Sequence, residues 1–581
     1  MQRRVFAQRY FSLPDLVILM LVATAIYGLV SIGREWRSDF HPVTEISLSV
    51  WALPYYTLLS AVRGLVAYTI SLVFTLVVGY FAAHSAKAEK IIIPFLDILQ
   101  SIPVLGFLPG LLLGLVALFP NTNTGLELAA IIMIFTGQVW NMTFSYYASL
   151  KSIPSDFKEA STVIGLSRLE KLRAIELPFS AVNLVWNSLL SMAGGWFFLI
   201  PCEAMTLGDK EYRLPGIGSY MFMAVKESNT PAIILAVVAM VLLILAMDFV
   251  IWRPTMAWVQ KFRLEDLPGV APAEPLMKVW FRESKVVFWA RAQVRLLLTR
   301  LKRVRFHYRH RRRGQRPVQP RERANFPSPF AGLAKLEFGR LGDRLTLLVY
   351  LVVIGFVAFG AYKLLTVLTK IPPATWVQLL KDTFWTFCRV AISLVLSTLW
   401  AVPVGIWLSI SPGRLRVAQP IIQVMASFPA PMLYPLALAL FFAVGIPFDW
   451  GSMLLIFLGV QWYVLFNVLA GALRISPELN RALDLMEASH WDRWKTLYLP
   501  SVYPSLVTGW VTAAGGAWNA SVVAEYIFYN GTILKTGGLG ATLSVATANE
   551  NFSLLAASLT LMVSVVIIIN RVVWARLHRL A

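Results

Sequence analysis

Residues 93–109 read IPFLDILQSIPVLGFLP, and residues 419–435 read QPIIQVMASFPAPMLYP. Pro94, Ser101, Pro103 and Pro109 of the first stretch meet Pro420, Ser427, Pro429 and Pro435 of the second, every pair at one and the same offset. Farther on, IELP ending at Pro178 answers LYLP ending at Pro500, AGG at 193–195 answers AGG at 514–516, and LPGIG at 214–218 answers TGGLG at 536–540. An ordered series of matches at a nearly constant spacing marks an internal duplication rather than chance. The chain is two related halves.

Both halves are greasy. The 581 residues are 57% hydrophobic and 14% charged, where soluble domains carry roughly a quarter charged residues. Apolar runs near the ~20 residues of a spanning helix recur throughout. They place spans at 15–33, 58–83, 91–118, 126–149, 179–202 and 231–252, then at 343–367, 383–409, 417–445, 452–473, 501–524 and 552–575. The fold class is therefore an all-α polytopic membrane protein of about twelve spans in two six-helix repeats. Prolines inside 91–118 and 417–445 mark where those two runs can break. Because six is even, the halves start on the same side and form parallel repeats, with a pathway expected between them.

Charge sets the orientation. With the first span starting inside, the basic loops 84–90, 151–173, 253–344, 411–416 and 474–495 and the tail 576–579 share the cytoplasmic side, as the positive-inside rule requires. The outer loops 120–125 and 444–451 are nearly uncharged, and those near 34–57 and 203–230 mix acids with bases. MQRRVFAQRY before the run Leu16–Val30 resembles a signal peptide, but no small-x-small cleavage site follows, so it reads as a retained first helix. Both termini are expected in the cytoplasm.

The organisation is thus a first transmembrane half at 1–253, a basic linker at 254–342 and a second half at 343–581. The net charge of +21 concentrates in that linker, where Arg291–Arg323 holds thirteen Lys or Arg against the single acid Glu322. Val287, Ala290, Val294, Leu297, Leu298, Leu301 and Val304 form a helical apolar stripe there, the pattern of a basic helix lying on anionic inner-leaflet lipid. No aromatic platform accompanies the charge, which argues against nucleic acid. Cys202 and Cys388 stand alone, without a C-x-x-C pair, so they read as small packing residues rather than a disulfide or metal framework.

One polar loop carries more information than the others. Residues 159–178 read EASTVIGLSRLEKLRAIELP. Pro154 and Ser155 start a helix with Asp156 and Glu159 near its positive end. Ala160, Val163, Ile164, Leu169 and Leu172 give it an apolar edge, and Gly165 bends it into two short helices. Pro178 opens the next span, where its missing N–H costs nothing.

Glu159-Ala160-Ser161, three residues, Gly165-Leu166, then Ile175-Glu176-Leu177-Pro178 resembles the EAA loop of binding-protein-dependent ABC importer permeases, with only Ser161 departing from the pattern. The loop lies between the fourth and fifth spans, as it does in that family. The second half carries a weaker copy: Arg481-Ala482-Leu483, Glu487-Ala488 and Leu497-Tyr498-Leu499-Pro500, with Arg for the leading acid and Glu for the bend glycine. Within the family the proline-rich third span and AGGAWNASVVAEY at 514–526 look most like the nitrate, taurine, sulfonate and bicarbonate branch, although fusion of two halves departs from its usual paired single halves. The resemblance implies a type I importer subunit in a bacterial inner membrane. Two copies of a separate cytoplasmic ATPase would dock on the two loops, and an extracytoplasmic binding protein would deliver the solute. It also implies that ATP and Mg are bound by the ATPase partners and no cofactor by this chain. In agreement, no G-x-x-x-x-G-K-[ST] loop occurs in the sequence.

For the pathway, the fifth spans stand out. Gly194-Gly195 and Gly515-Gly516 lie about 25 Å past the Leu-Pro proline along a helix, where paired glycines serve close packing or a break lining a cavity. Trp196, Glu203, Trp518, Asn519 and Glu525 follow. Carboxylates at membrane depth face a cavity or a partner, so Glu203 and Glu525 read as pathway, outer-gate or outer-interface residues. They would repel an anionic solute unless paired. Arg63 and Arg389, separated by the same offset as the matched prolines, attract an anion or snorkel outward. Gly208–Arg213 is the most densely charged outer loop, a solvated turn or a docking point for the binding protein.

A secondary transporter of the major facilitator type shares the six-plus-six layout, but AAHSAKAEK and SPGRLRVAQ in its signature loop lack the Gly…Asp-Arg…Gly-Arg pattern. A membrane enzyme would need clustered His, Cys or carboxylates, and the six His do not cluster within spans. Neither a metal site nor a catalytic residue is expected.

Overall fold

The computed structural model describes residues 13–207, 210–262 and 358–580, with scattered positions between 279 and 355. It comprises two compact units, one of residues 1–22 with 279–372 and one of residues 23–278 with 373–581. In the former, the Ser284 hydroxyl and the Val286 N–H donate to Asp15 at 2.7 and 3.2 Å. The latter holds both copies of the duplicated helices. Apart from residues 287–289, 292 and 293, which are helical, the amphipathic helix expected over 287–304 lies outside the described residues, as do most of the basic linker and the start of the span expected at 343–367.

The first half runs α1 (Leu13–Arg37), α2 (Leu53–His84), α3 (Ala86–Ser101), α4 (Val104–Leu118), α5 (Thr124–Lys151), α6 (Ser155–Val163), α7 (Arg168–Lys171), α8 (Leu177–Phe197) and α9 (Leu199–Glu203). A short antiparallel hairpin follows, β1 (Ala204–Leu207) with β2 (Lys210–Arg213). Then come α10 (Ile217–Lys226), α11 (Thr230–Met247) and α12 (Arg253–Val259). The second half repeats the order: α13 (Pro373–Ser409), α14 (Pro412–Ser427), α15 (Ala430–Ala443), α16 (Phe448–Ala472), α17 (Pro477–Leu485), α18 (His490–Arg493), α19 (Leu499–Ala524), β3 (Tyr526–Tyr529), β4 (Thr532–Lys535), α20 (Leu539–Ala548), α21 (Phe552–Ile569) and α22 (Ala575–Leu580). Even the π-helical turns recur, at Leu172–Glu176 and Trp494–Tyr498 and again at Asp248–Trp252 and Asn570–Trp574.

Among the described residues, seven helices are long and apolar enough to cross a membrane, or eight when the bent pair Gly413–Ser427 and Ala430–Ala443 counts as one. The runs at 91–118 and 417–445, whose prolines mark a possible break, are each two helices, and the second pair turns through 91°. The cause is local. Ile102 and Phe428 precede prolines, whose rings push the preceding residue out of the helical region, and both are extended at ψ 120° and 130°.

Polarity is arranged inside out. Ser60, Ser71, Thr75, Gln138 and Thr143 are buried, and the Thr75 and Thr143 hydroxyls meet at 3.0 Å between α2 and α5. Ile70, Val73, Val77 and Phe81 of α2 point outward, which suits a lipid surround. In each half the helices at the places of the expected second, fourth and fifth spans pack together: α2, α5 and α8, then α13, α16 and α19, although α8 and α19, at the spans expected over 179–202 and 501–524, are not among those seven. Since lipid is as apolar as leucine, such contacts gain from close packing rather than water release. Gly194 shows the fit, because a Cβ there would stand 2.6 Å from the Gly137 carbonyl oxygen. Each broken helix crosses to the other half: α14 packs on α8 and α11, while α4 packs on α19 and α21.

Candidate functional site

The two loops between the fourth and fifth spans share one construction. In the first, α6 ends at Gly165, whose φ of +74° is a left-handed conformation that costs glycine little. Ser167 then caps α7: its hydroxyl accepts the Glu170 N–H at 3.4 Å, and its own N–H donates to Glu170 at 2.8 Å. Those bonds hold the Glu170 carboxyl below its usual range. The π-helical turn at 172–176 feeds α8 through Pro178. In the second loop Ser489 caps α18 on Asp492 at 3.2 Å, and Arg493 clasps the bend through Asp484 at 2.5 Å and the Ala488 carbonyl at 3.0 Å. Glu487 takes the bend at φ +51°.

Glu159, Ala160, Arg481 and Ala482 are exposed, Leu166, Leu483 and Ala488 half-buried, and Ser161 buried with its hydroxyl on the Lys158 carbonyl at 2.6 Å. At the bends, large apolar side chains stand free: Val163 at 88% and Ile164 on one loop, Leu485 at 87%, Met486 and Trp491 on the other. One tether is unequal. His84 Nε2 at the end of α2 lies 2.9 Å from Glu176 in the first π-turn. The equivalent Tyr498 in the second turn donates to Asn480 at 3.0 Å instead.

Arg63 and Glu203 come together, and a third residue joins them. Arg63 donates through Nε and Nη2 to both oxygens of Glu127, at 2.6 and 2.8 Å, and through Nη1 to Glu203 at 2.5 Å. All three side chains are fully buried. Ser60 and the Gly218 N–H also donate to Glu203, at 2.6 and 2.7 Å, and Arg63 reaches the Pro215 carbonyl at 3.0 Å. The cluster ties α2, α5, α9 and α10 at one point. Gly216 is required there, because a Cβ would overlap the Glu203 carboxylate.

The second half builds the same knot with other parts. Arg389 donates to Glu525 at 3.0 Å, and Thr386 to Glu525 at 2.8 Å. Arg389 also donates to the Gly537 carbonyl and the Thr536 hydroxyl, each at 2.7 Å, and the Thr536 hydroxyl in turn donates to the Asp449 carboxylate. Asp449 follows Glu127, and Thr536 follows Leu214, at the offset that relates Pro500 to Pro178. Glu127, Asp449, Ser60, Thr386 and Thr536 escape a reading by apolar runs, because they sit on span flanks or look like ordinary helix polarity. The repeat spacing is the signal that marks them.

On the fifth helices, Gly194 and Gly195 pack against Gly137 and Gln138, and Trp196 and Trp518 are buried. Gly515 faces open space, while Gly516 adjoins Tyr463. Trp196 pairs with Trp518, and Glu203 with Glu525, at that same Pro178-to-Pro500 offset. Gly194 therefore matches Gly516, and the two AGG triplets lie one residue out of register, about 100° around a helix. Asn519 donates to the Gly515 carbonyl at 3.1 Å and accepts the Val104 N–H of the other half at 2.9 Å.

In the first hairpin, Glu211 of β2 takes Arg213 at 2.9 Å and an ion pair from Lys226, which holds its carboxyl below the usual range. Gly208 and Asp209 of the expected outer loop lie outside the described residues. Cys202 packs beside Ile131 and Ile134.

Residues 75–252 and 401–579 both match the family described as binding-protein-dependent transport system inner membrane component. The nitrate import permease protein NrtB of Leptolyngbya laminosa is 27% identical over 26% of this chain and 50% of its own length. The taurine transport system permease protein TauC of Escherichia coli is 29% identical over 26% and 52%. The bicarbonate transport system permease protein CmpB of Synechococcus elongatus is 23% identical over 42% of this chain and 83% of its own length. The matched segment spans about half the length of the nitrate and taurine relatives.

Proposed function

From the premise that the chain belongs to the binding-protein-dependent transport system inner membrane components, we propose that it supplies both transmembrane halves of an ATP-driven importer in one chain. The solute is small and of the nitrate, sulfonate or bicarbonate kind, by analogy with the names of its relatives. One observation carries the mechanism: both loops place a capped, bent helix pair with bare apolar knobs at the foot of a fifth span. A cytoplasmic ATPase pair, which binds ATP and Mg, docks on Val163–Ile164 and Leu485–Met486. Its closure moves α6–α7 and α17–α18 as levers on α8 and α19. Rigid-body motion of the halves then exposes the seam to either side in turn. Along that seam run the fifth helices with Gly194, Gly195, Gly515, Gly516 and Asn519, framed by the Arg63–Glu203 and Arg389–Glu525 knots. A binding protein presents the solute outside, and the basic linker rests on anionic inner-leaflet lipid.

The test is purification and reconstitution. The chain retains an ATPase through affinity purification and, with it and the binding protein, drives uptake that needs ATP and no ion gradient. Gradient-driven transport by the chain alone would overturn the proposal.

A further inference from the structure

The two fifth helices meet the opposite broken helix with different chemistry. Asn519 of α19 accepts the Val104 N–H, directly after the first-half break, at 2.9 Å. At the equivalent place on the other side stand Phe197 and Ala430, the repeat counterparts of Asn519 and Val104. A phenyl ring carries no acceptor. Phe197 and Ala430 instead border a cavity of about 30 Å³ whose wall includes Phe428, Trp462, Tyr463 and Phe466, with no acidic or basic side chain. The Tyr463 hydroxyl stands 3.8 Å from where a Cβ on Gly194 would lie. The cavity thus opens on the seam between the halves, on one side of it.

We infer that this cavity receives the flat aromatic body of an organic solute, an inference that rests on the permease reading above and narrows its solute kinds to an aromatic sulfonate. Four rings and an indole offer π-faces and edges, which favour another ring in stacked or edge-on contact. An uncharged wall gives nothing to offset the desolvation of a bare inorganic anion. One hydroxyl and one indole N–H are the polar atoms such a wall spends on orientation. At about 30 Å³ the space is well below the ~150 Å³ of a cavity that holds benzene. The ring therefore enters when α8 and α16 part, and is expelled when they close as they are here. The other side of the seam cannot serve in the same way, because the Asn519 carboxamide is committed to Val104.

Benzenesulfonate and taurine share a sulfonate and differ in the flat body, so the pair isolates the inference. Equilibrium dialysis of the full chain with its ATPase in nanodiscs is expected to show benzenesulfonate bound at least about tenfold more tightly than taurine, the scale of one buried ring. Phe197→Asn, which brings the second half's residue type to this side, reduces benzenesulfonate binding to the taurine level, and so does Trp462→Ala. If either fails to fold, Phe197→Leu keeps an apolar side chain and still weakens benzenesulfonate. Equal binding of the two sulfonates, no binding of benzenesulfonate, or binding untouched by these variants overturns the inference. ATPase retention is read separately in the same preparation: its presence leaves the permease reading standing when the ring preference fails, and its loss removes that reading instead.

Discussion

Asp449 occupies in the second half the place Glu127 holds in the first, one methylene shorter, and Thr536 supplies the missing reach. Glu127 touches Arg63 directly at 2.6 and 2.8 Å, whereas Asp449 meets Arg389 only through the Thr536 hydroxyl. Two knots with one topology have diverged by a compensated exchange. Converting Asp449→Glu alone crowds Thr536, and Thr536→Leu alone strands Asp449. The double variant rebuilds the first-half chemistry. Thermal unfolding should show each single change destabilising and the pair partly restored, with a coupling of about 0.5–3 kcal/mol. Strict additivity would show that the two sites do not interact.

Arg63→Leu removes the cation that bridges Glu127 and Glu203 in a fully buried knot. Breaking a buried pair by deleting one partner costs about 3–5 kcal/mol. The variant is expected to express as a labile chain with a lowered melting temperature in detergent. Unchanged melting would mean that water reaches the site.

The bends of the two loops before the fifth helices test backbone strain. Glu487 holds φ +51° where Gly165 holds +74°. Glu487→Gly should stabilise the loop and Gly165→Ala should destabilise it, each by about 1 kcal/mol. Hydrogen exchange of residues 484–493 and 162–171 reads the two effects, and opposite signs are required.

The proposed docking of an ATPase predicts losses on both loops. Val163→Asp and Met486→Asp each place a charge on an exposed apolar knob without touching the transmembrane core. ATPase retention during purification should fall with both, while the stability of the chain itself stays within about 0.5 kcal/mol of the parent. Full retention in both variants would place the ATPase elsewhere.

The β1–β2 hairpin carries a pH dependence. Lys226 and Arg213 depress the Glu211 carboxyl below its ordinary value of 4.5. A depressed acid contributes stability that is complete above the unfolded value and is lost as pH falls through the folded one. Exchange protection of Ala204–Arg213 should be flat above about pH 5 and decline as the medium becomes more acidic. Lys226→Ala should flatten that decline.

Much of this architecture is legible along the chain. The duplication, the apolar runs, the Gly165 bend and the Leu-Pro entry to the fifth spans depend on spacing within a few residues or on covalent order alone. The Pro103 and Pro429 breaks are legible for the same reason, as a ring acts on the residue before it. The pairing of AGG triplets is misleading, because a one-residue slip passes unnoticed in a string yet turns a helix face by about 100°.

What the tertiary structure decided was partnership. Arg63 finds Glu203 across 140 residues, and Asn519 finds Val104 across 415. Neither choice is written near the residue that makes it. Glu127 and Asp449 are hidden at the flanks of spans, where an acid next to an apolar run looks like a membrane boundary. Only the packing of α2 on α5 and the crossing of each broken helix into the other half bring these groups within bonding distance. An intramembrane charge must be satisfied by whatever stands beside it, and neighbours in a bundle are set by helix contacts rather than by sequence distance. The amino-acid order thus determined two halves, their apolar runs and the bent loop before each fifth helix, while the fold alone determined that the buried charges close on each other and leave an aromatic cavity at the seam.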